Sequence, residues 1–242
     1  MMADKNADGV SREQIDWDTI DWEYHEKVVR RLQERIVKAT EEGNWDRVHD
    51  LSRLLTRSRS GKLLAIKRVT DNDGSKTPGV DKVTWEHSRS KEMAVALLDQ
   101  RGYSPQPLRR TYIPKSSGKM RPLGIPTMLD RAMQALYLLA LDPIAETVAD
   151  PNSYGFRLGR SCADAIEQCF ILLSGGRDRC ILEGDIKGCF DHISQEWMEE
   201  YIPMERLILR KFLKCGYLER NVFTETQEGT PQGGPSHRFW QI

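Results

Sequence analysis

The 242-residue chain contains no run of eighteen apolar residues, so no transmembrane helix is expected. Its first twenty residues are acidic and polar, without the apolar stretch of a secretory signal. Cysteine is sparse and odd in number. Cys162, Cys169, Cys180, Cys189 and Cys215 are never spaced Cys-x-x-Cys, which argues against zinc ligation and against a disulfide framework. Their apolar neighbours predict ordinary buried thiols in a reducing cytoplasm. An excess of charge of one sign is also missing: 36 Lys and Arg balance 36 Asp and Glu.

That balance hides an uneven distribution. Met1 to Glu26 carries eight acids and two bases, whereas Lys27 to Lys62 carries ten bases and five acids. Between Arg101 and Leu129 there are six Arg or Lys and no acid at all. Local basic surface, rather than the global charge, governs binding to a polyanion. Such a run also reads as a plain solvated face.

Residues 1–14 are polar, rich in Asp and Asn, and without periodicity, and read as a disordered tail. Apolar residues at helical spacing predict helices over Trp22–Thr40, from Trp45 through Leu55, and over Leu63–Val69. Asp71-Asn-Asp-Gly74 and Thr77-Pro-Gly-Val-Asp81 are turn signals, and a helix is expected near Met93–Arg101. Tyr112–Pro114 and Arg121–Pro126 predict a hairpin whose tip is Ser116-Ser-Gly-Lys119. Asp130 is positioned to cap the next helix, with Met133, Leu136, Tyr137 and Ala140 on its apolar side. Ser161-Cys-Ala-Asp164 has the spacing of a capping box. Arg179–Ile186 reads as a strand, Ser194 as a cap, Leu207–Cys215 as a helix closed by Gly216, and Val222–Gln227 as a strand. The fold class is α+β: helices packed on a modest, mostly antiparallel sheet.

Two segments carry candidate chemistry. Tyr112-Ile-Pro-Lys-Ser-Ser-Gly-Lys-Met-Arg-Pro-Leu-Gly-Ile-Pro-Thr127 sets Lys115, Lys119 and Arg121 on a glycine-bent tip with no acid to offset them. Guanidinium forks and mobile ammonium groups suit phosphate oxygens, each charge-assisted contact contributing about 1.5–3 kcal/mol. A solubilising hairpin tip is the plainer alternative. Ile181-Leu-Glu-Gly-Asp185-Ile-Lys-Gly-Cys-Phe190-Asp191 ends an apolar run on a carboxylate, where oxygen ligands can hold a hard cation. Asp185 is equally a turn residue, Asp191 a cap or pairing partner, and Phe190 a core residue. Arg157 and Arg160 flank a glycine-containing loop and suit either backbone phosphates or a salt bridge at a helix C-terminus.

Together these blocks resemble the reverse transcriptases encoded by group II introns, also called intron maturases, over roughly residues 17–234. The pattern runs from Trp17 through Leu54-Leu55 and Lys76-Thr-Pro-Gly-Val-Asp81 to Tyr112–Thr127. It continues with Tyr154-Gly-Phe-Arg157, Gly159-Arg-Ser161, Gly184-Asp-Ile-Lys-Gly-Cys-Phe-Asp191 and Gly229-Thr-Pro-Gln-Gly-Gly234. The resemblance implies a right-hand polymerase fold: a helical RNA-contacting region over 15–81 and fingers with part of the palm over 82–234. Asp185 would be the first of three Mg2+-binding aspartates. Phe190 would pack where a ribose 2′-hydroxyl would sit. Lys115 and Arg121 would hold the deoxynucleoside triphosphate, and Gln232 would line its pocket. Lys76, Arg157 and Arg160 would contact template or intron RNA. The implied partners are RNA, a DNA primer and deoxynucleoside triphosphates, with no membrane. Leu158 departs from the family's more usual proline.

The larger departure follows Gly234. The family continues with an apolar helix and a Tyr-Ala-Asp-Asp turn, while this chain reads Pro235-Ser-His-Arg-Phe-Trp-Gln-Ile242 and contains no Tyr-Ala-Asp-Asp. Residues 235–242 therefore read as an aberrant tail, such as a frameshift product. With one of three carboxylates, negligible polymerase activity is expected of the chain alone. An RNA-binding module without chemistry and a degenerate reading-frame product are the competing expectations.

Overall fold

The computed structural model describes residues 16–114, 118–175, 180–226 and 229–230, apart from the side chains of Cys189 and Asp191. The expected tails at 1–14 and 235–242, Lys115 and Gln232 lie outside these residues.

Four helices supply most of the core, which Ile208, Leu209, Phe212 and Leu213 of a later helix help to close. α1 (Trp22–Glu41), α2 (Trp45–Arg57) and α3 (Arg59–Thr70) each begin on a side chain that accepts a backbone N–H of the first turn: Asp21 from Tyr24, Asn44 from Arg47, and Ser58 from Gly61. Val29, Leu32 and Ile36 of α1, Val48, Leu51 and Leu55 of α2, and Leu63, Ile66 and Val69 of α3 are buried against one another. Leu54 of α2, which shares the apolar period, is exposed. These stripes close around α5 (Met128–Val148), after the short α4 (Ser88–Leu97) and the hairpin have intervened.

The expectation for α5 was one apolar side. Fourteen of its 21 residues are buried, including Asp130, Arg131 and Gln134, so it is a core helix with neighbours all round. Its cap is Thr127, not Asp130. The Thr127 hydroxyl accepts the Asp130 N–H at 3.2 Å and donates to the Asp130 carboxylate at 2.7 Å. Asp130, three residues in, also accepts the Tyr103 phenol at 2.6 Å and the Gln106 N–H at 3.2 Å. Burial pushes its carboxyl above the ordinary value, against the pull of these donors.

Pro143 interrupts α5 without breaking it. A proline has no N–H for the carbonyl four residues earlier, which here is Leu139. Gln33 of α1 supplies the missing donor, its Nε2 lying 2.8 Å from the Leu139 carbonyl oxygen.

The sheet has the order β2-β1-β3-β4. β1 (Leu108–Pro114) pairs antiparallel with β2 (Met120–Ile125), with Ile113 opposite Arg121. β3 (Tyr217–Glu219) runs parallel to β1, and β4 (Val222–Thr224) turns back on β3. A strand of three residues is too short to show alternation, so β3 left no trace in the pattern. The β3–β4 connection puts Arg220 at φ 47° and Asn221 at φ 66°, the left-handed pair of a tight two-residue hairpin.

Three C-terminal helices agree with their signals, α6 (Cys162–Leu173) with its capping box, α8 (Gln195–Tyr201) on Ser194 and α9 (Arg206–Leu213) ahead of Gly216, while the four-residue α7 (Cys189–His192) had none. Two expectations change. The segment read as a strand up to Ile186 forms no ladder among the described residues, and Leu182 is 95% exposed. A strand exists only through a partner, and neither described edge of the sheet reaches it. The cysteines whose side chains are described are not fully buried either. Cys162, Cys169 and Cys180 are exposed and Cys215 half-buried, because α6 has no buried residue and shows Ile166 and Phe170 to solvent.

Replacing Gln33 by Ala should leave the Leu139 carbonyl without a donor and cost about 1–3 kcal/mol in denaturant unfolding. In a Pro143→Ala background the restored N–H occupies that carbonyl, so the same replacement should cost well under 1 kcal/mol. Equal costs in both backgrounds would show that Gln33 acts only through packing.

Candidate nucleotide and nucleic-acid site

The β1–β2 hairpin and the C-terminal region are joined by polar contacts across the sheet. The Leu108 N–H donates to the Gly216 carbonyl at 2.9 Å. The Arg110 guanidinium lies 3.9 Å over the Tyr217 ring. The Tyr112 hydroxyl donates to Glu219 Oε1 at 2.7 Å, and Lys211 Nζ donates to the Tyr103 carbonyl. Arg121 leaves the hairpin tip half-buried on β2, with Lys119 exposed beside it. Lys115 falls outside the described residues.

Asp185, Phe190 and the start of the Gly229 block meet the rest of the fold differently. Asp185 is exposed on the unpaired segment. Gly188, at φ 63°, makes the left-handed step that turns the chain into α7 and carries Phe190 inward. Phe190 is partly buried against the main core. Its carbonyl accepts the Thr230 N–H at 2.7 Å, and the Ile193 carbonyl accepts the Gly229 N–H at 3.3 Å. Gln195 Nε2 completes the junction on the Gly229 carbonyl at 3.2 Å. Two blocks forty residues apart in sequence are thereby bonded together, with Gln232, outside the described residues, two positions beyond.

Among the described residues no three His, Cys, Asp or Glu side chains gather as a metal site. Asp185 therefore does not by itself fit the magnesium centre that the sequence implies.

Lys76 is exposed in the short 3-10 turn Asp73–Lys76. What holds it was not read from the sequence. The buried Arg131 of α5 donates through Nη1 to the Gly74 carbonyl at 2.8 Å, through Nη2 to the Thr77 carbonyl at 2.5 Å, and through Nε to the Pro126 carbonyl at 3.0 Å. Arg109 adds a bond from Nε to the Pro78 carbonyl at 3.0 Å. Burial, then the nearby Arg109 charge, draws the Arg131 pKa down. Gly79 fits between these anchors because a Cβ there would lie 2.7 Å from the Thr127 backbone. The one available sign was a lone arginine inside an apolar helix.

Arg157 and Arg160 have internal partners. Arg157 donates to Glu146 Oε2 at 2.9 Å and to the Ala145 carbonyl at 3.0 Å. Arg160 donates to Glu146 Oε1 at 2.7 Å and to the carbonyls of Pro151 and Ser153. Of their two sequence readings, the salt bridge near a helix C-terminus describes this geometry: both guanidinium groups tie the 150–160 loop to the last turns of α5. Exposed bases lie elsewhere, at Arg30, Arg31 and Arg35 of α1 and at Arg47, Arg53 and Arg57 of α2.

A family profile for the N-terminal domain of reverse transcriptase matches residues 17–98, and one for reverse transcriptase (RNA-dependent DNA polymerase) matches residues 113–236. The chain is similar to the group II intron-encoded protein LtrA of Lactococcus lactis subsp. cremoris, 39% identical over 181 residues, which cover 71% of this chain and 30% of that protein. It is similar to protein YkfC of Escherichia coli K12, 36% identical over 204 residues, covering 78% and 53%. Maturase-like protein 1 of Euglena gracilis is 26% identical over 202 residues, covering 81% and 43%. The chain thus spans from under a third to about half of the length of these relatives.

Lysine in place of Arg131 keeps the charge but loses the planar fork that reaches three carbonyls. Arg131→Lys should cost about 1–3 kcal/mol and speed amide exchange at Ser75 and Thr77 well beyond the global change. Exchange that tracks global stability alone would remove the assignment of Arg131 as the anchor of the Lys76 turn.

Proposed function

Because the chain belongs to the reverse-transcriptase family, beside the group II intron-encoded proteins, we propose that it provides the fingers and nucleotide-facing palm of an RNA-directed DNA polymerase. Its N-terminal helices bind the intron or template RNA. The observation that carries this reading is the Thr230–Phe190 bond, which supports one pocket made from the Asp185–Asp191 turn and the Gly229–Gly234 block. In it Phe190 excludes a ribose 2′-hydroxyl and Gln232 lines the nucleotide. Lys115 and Arg121 bring phosphate-binding charge from the hairpin. Asp185 is one carboxylate toward the divalent ions with which reverse transcriptases work.

RNA binding is the activity that the described residues support most directly. Arg30, Arg31 and Arg35 lie on successive turns of α1 and are exposed. The charged turn at Lys76 is held rigidly by Arg131, and a rigid backbone reduces the ordering cost of a contact. Arg157 and Arg160 take a positioning role in this reading: they fix the 150–160 loop on α5.

Binding to single-stranded RNA should weaken with salt, each phosphate contact adding about 0.7 to the slope of log affinity against log salt. Arg30→Gln combined with Arg31→Gln should lower that slope by about 1.4. Arg157→Ala should lower thermal stability and leave the slope unchanged. A slope insensitive to the α1 pair, or one reduced by Arg157→Ala, would move the RNA to the 150–160 loop.

Phe190→Ala should narrow the preference for deoxynucleoside over ribonucleoside triphosphates, measured as the ratio of affinities in the presence of primer and template. Arg121→Ala should weaken all four deoxynucleotides alike, about ten- to hundredfold, because it would grip phosphate and not base. An unchanged ribo-to-deoxy ratio in Phe190→Ala would make Phe190 a core residue only.

A further inference from the structure

Outside the elements used above, α2, α5 and the Pro203–Arg206 segment enclose a pocket of about 260 Å³. That is somewhat below the range of about 300–1,000 Å³ for drug-sized ligands, and suits one base with its sugar. We propose that this pocket receives a single unstacked RNA nucleotide, guanine foremost, with the base inside and the phosphate at the rim. The inference rests on the RNA-binding reading and extends it to a site which that reading does not use.

The lining has the pattern of a base pocket. Leu141 and Met204 are buried and give an apolar floor. The Ser52 hydroxyl oxygen points into the protein without a hydrogen-bond partner among the described residues. The Tyr137 hydroxyl reaches Glu205 Oε2 at 3.3 Å, longer than the usual hydroxyl bond, so the carboxylate keeps acceptor capacity. Two adjacent oxygens on one carboxylate match two adjacent N–H donors. Among the four bases only guanine offers such a pair on its pairing edge, the edge by which proteins read unstacked RNA bases.

The rim suits the phosphate. His49 and Arg53 are one helical turn apart on α2 and both exposed, and Arg206 faces them from the start of α9. Arg206 uses Nε on the Glu199 carbonyl at 3.1 Å, which steadies its guanidinium. Glu205 and Arg206 are adjacent and both exposed along the pocket wall, so the carboxylate for the base and the cations for the phosphate stand side by side.

The test titrates the full chain with GMP, AMP, CMP, UMP and inorganic phosphate, followed by calorimetry or NMR. GMP should bind at least tenfold tighter than the other three. Ser52→Met, which fills the pocket without changing charge, should weaken GMP at least tenfold. Glu205→Gln should remove most of the preference for guanine, and it carries the test alone if Ser52→Met fails to fold. For a loop RNA with one unpaired guanine, both variants should lower affinity and reduce the salt slope by no more than one phosphate contact, about 0.7. Equal affinity for all four nucleotides, or for phosphate alone, would overturn base recognition. Absence of GMP binding with a normal RNA salt slope would overturn the pocket and leave the RNA-binding reading standing. GMP binding with no RNA affinity would do the reverse: the pocket would hold a free nucleotide, and both the RNA source and the RNA reading would fall.

Discussion

A helix surrounded by protein relies on its neighbours to settle its polar groups, and although Gln134 Oε1 finds no partner among the described residues, this constraint on α5 organises the molecule. At its N-terminal end Thr127 and Asp130 bond each other, and Tyr103 and Gln106 complete the carboxylate. At Pro143 the helix withholds a donor that Gln33 of α1 replaces. Near its C-terminal end Glu146 gathers Arg157 and Arg160. Each demand fixes a different segment against α5, so the helix sets positions as well as filling the core. An unmet buried group would cost about 1–3 kcal/mol, comparable with a sizeable fraction of domain stability.

Arg131 carries that logic toward function. Its three bonds to carbonyls hold the turn containing Lys76 and the residues before β1 on one rigid element. Its direct partners are carbonyls and not carboxylates, with the Asp81 charge near enough to favour the guanidinium. Arg157 and Arg160 show the opposite outcome. Their charges are matched by Glu146 and by helix carbonyls, and they stabilise a loop.

The neutral net charge conceals this division. Bases on α1 and α2 face solvent and outnumber the exposed acids beside them, Glu34, Glu41, Asp46 and Asp50, while other acids are taken up in local pairs such as Lys27 with Glu23 and Lys67 with Glu26. Surface pairs of this type contribute little to stability. Their value lies in which cations they leave available, and the exposed arginines of α2 lead toward the pocket beside Tyr137.

Local signals were enough for most elements because they act within a few residues. Caps at Ser161 and Ser194, the turn before Thr77, and the glycine-bent hairpin all depend on neighbours in sequence, and so does the order of blocks that identifies the family. Tertiary structure decided what depends on distant partners. Arg179–Ile186 has strand composition but no ladder among the described residues, because pairing is supplied by another segment and not by propensity. The roles of Asp130, Arg131 and Gln33 could not be read locally, since each answers a polar group brought near by packing. Thr230 against Phe190 is of the same kind. Sequence determined which residues could act, through chemistry and short-range geometry; the fold decided which of them meet, because long-range contact is set by the burial of α5 and everything that burial obliges.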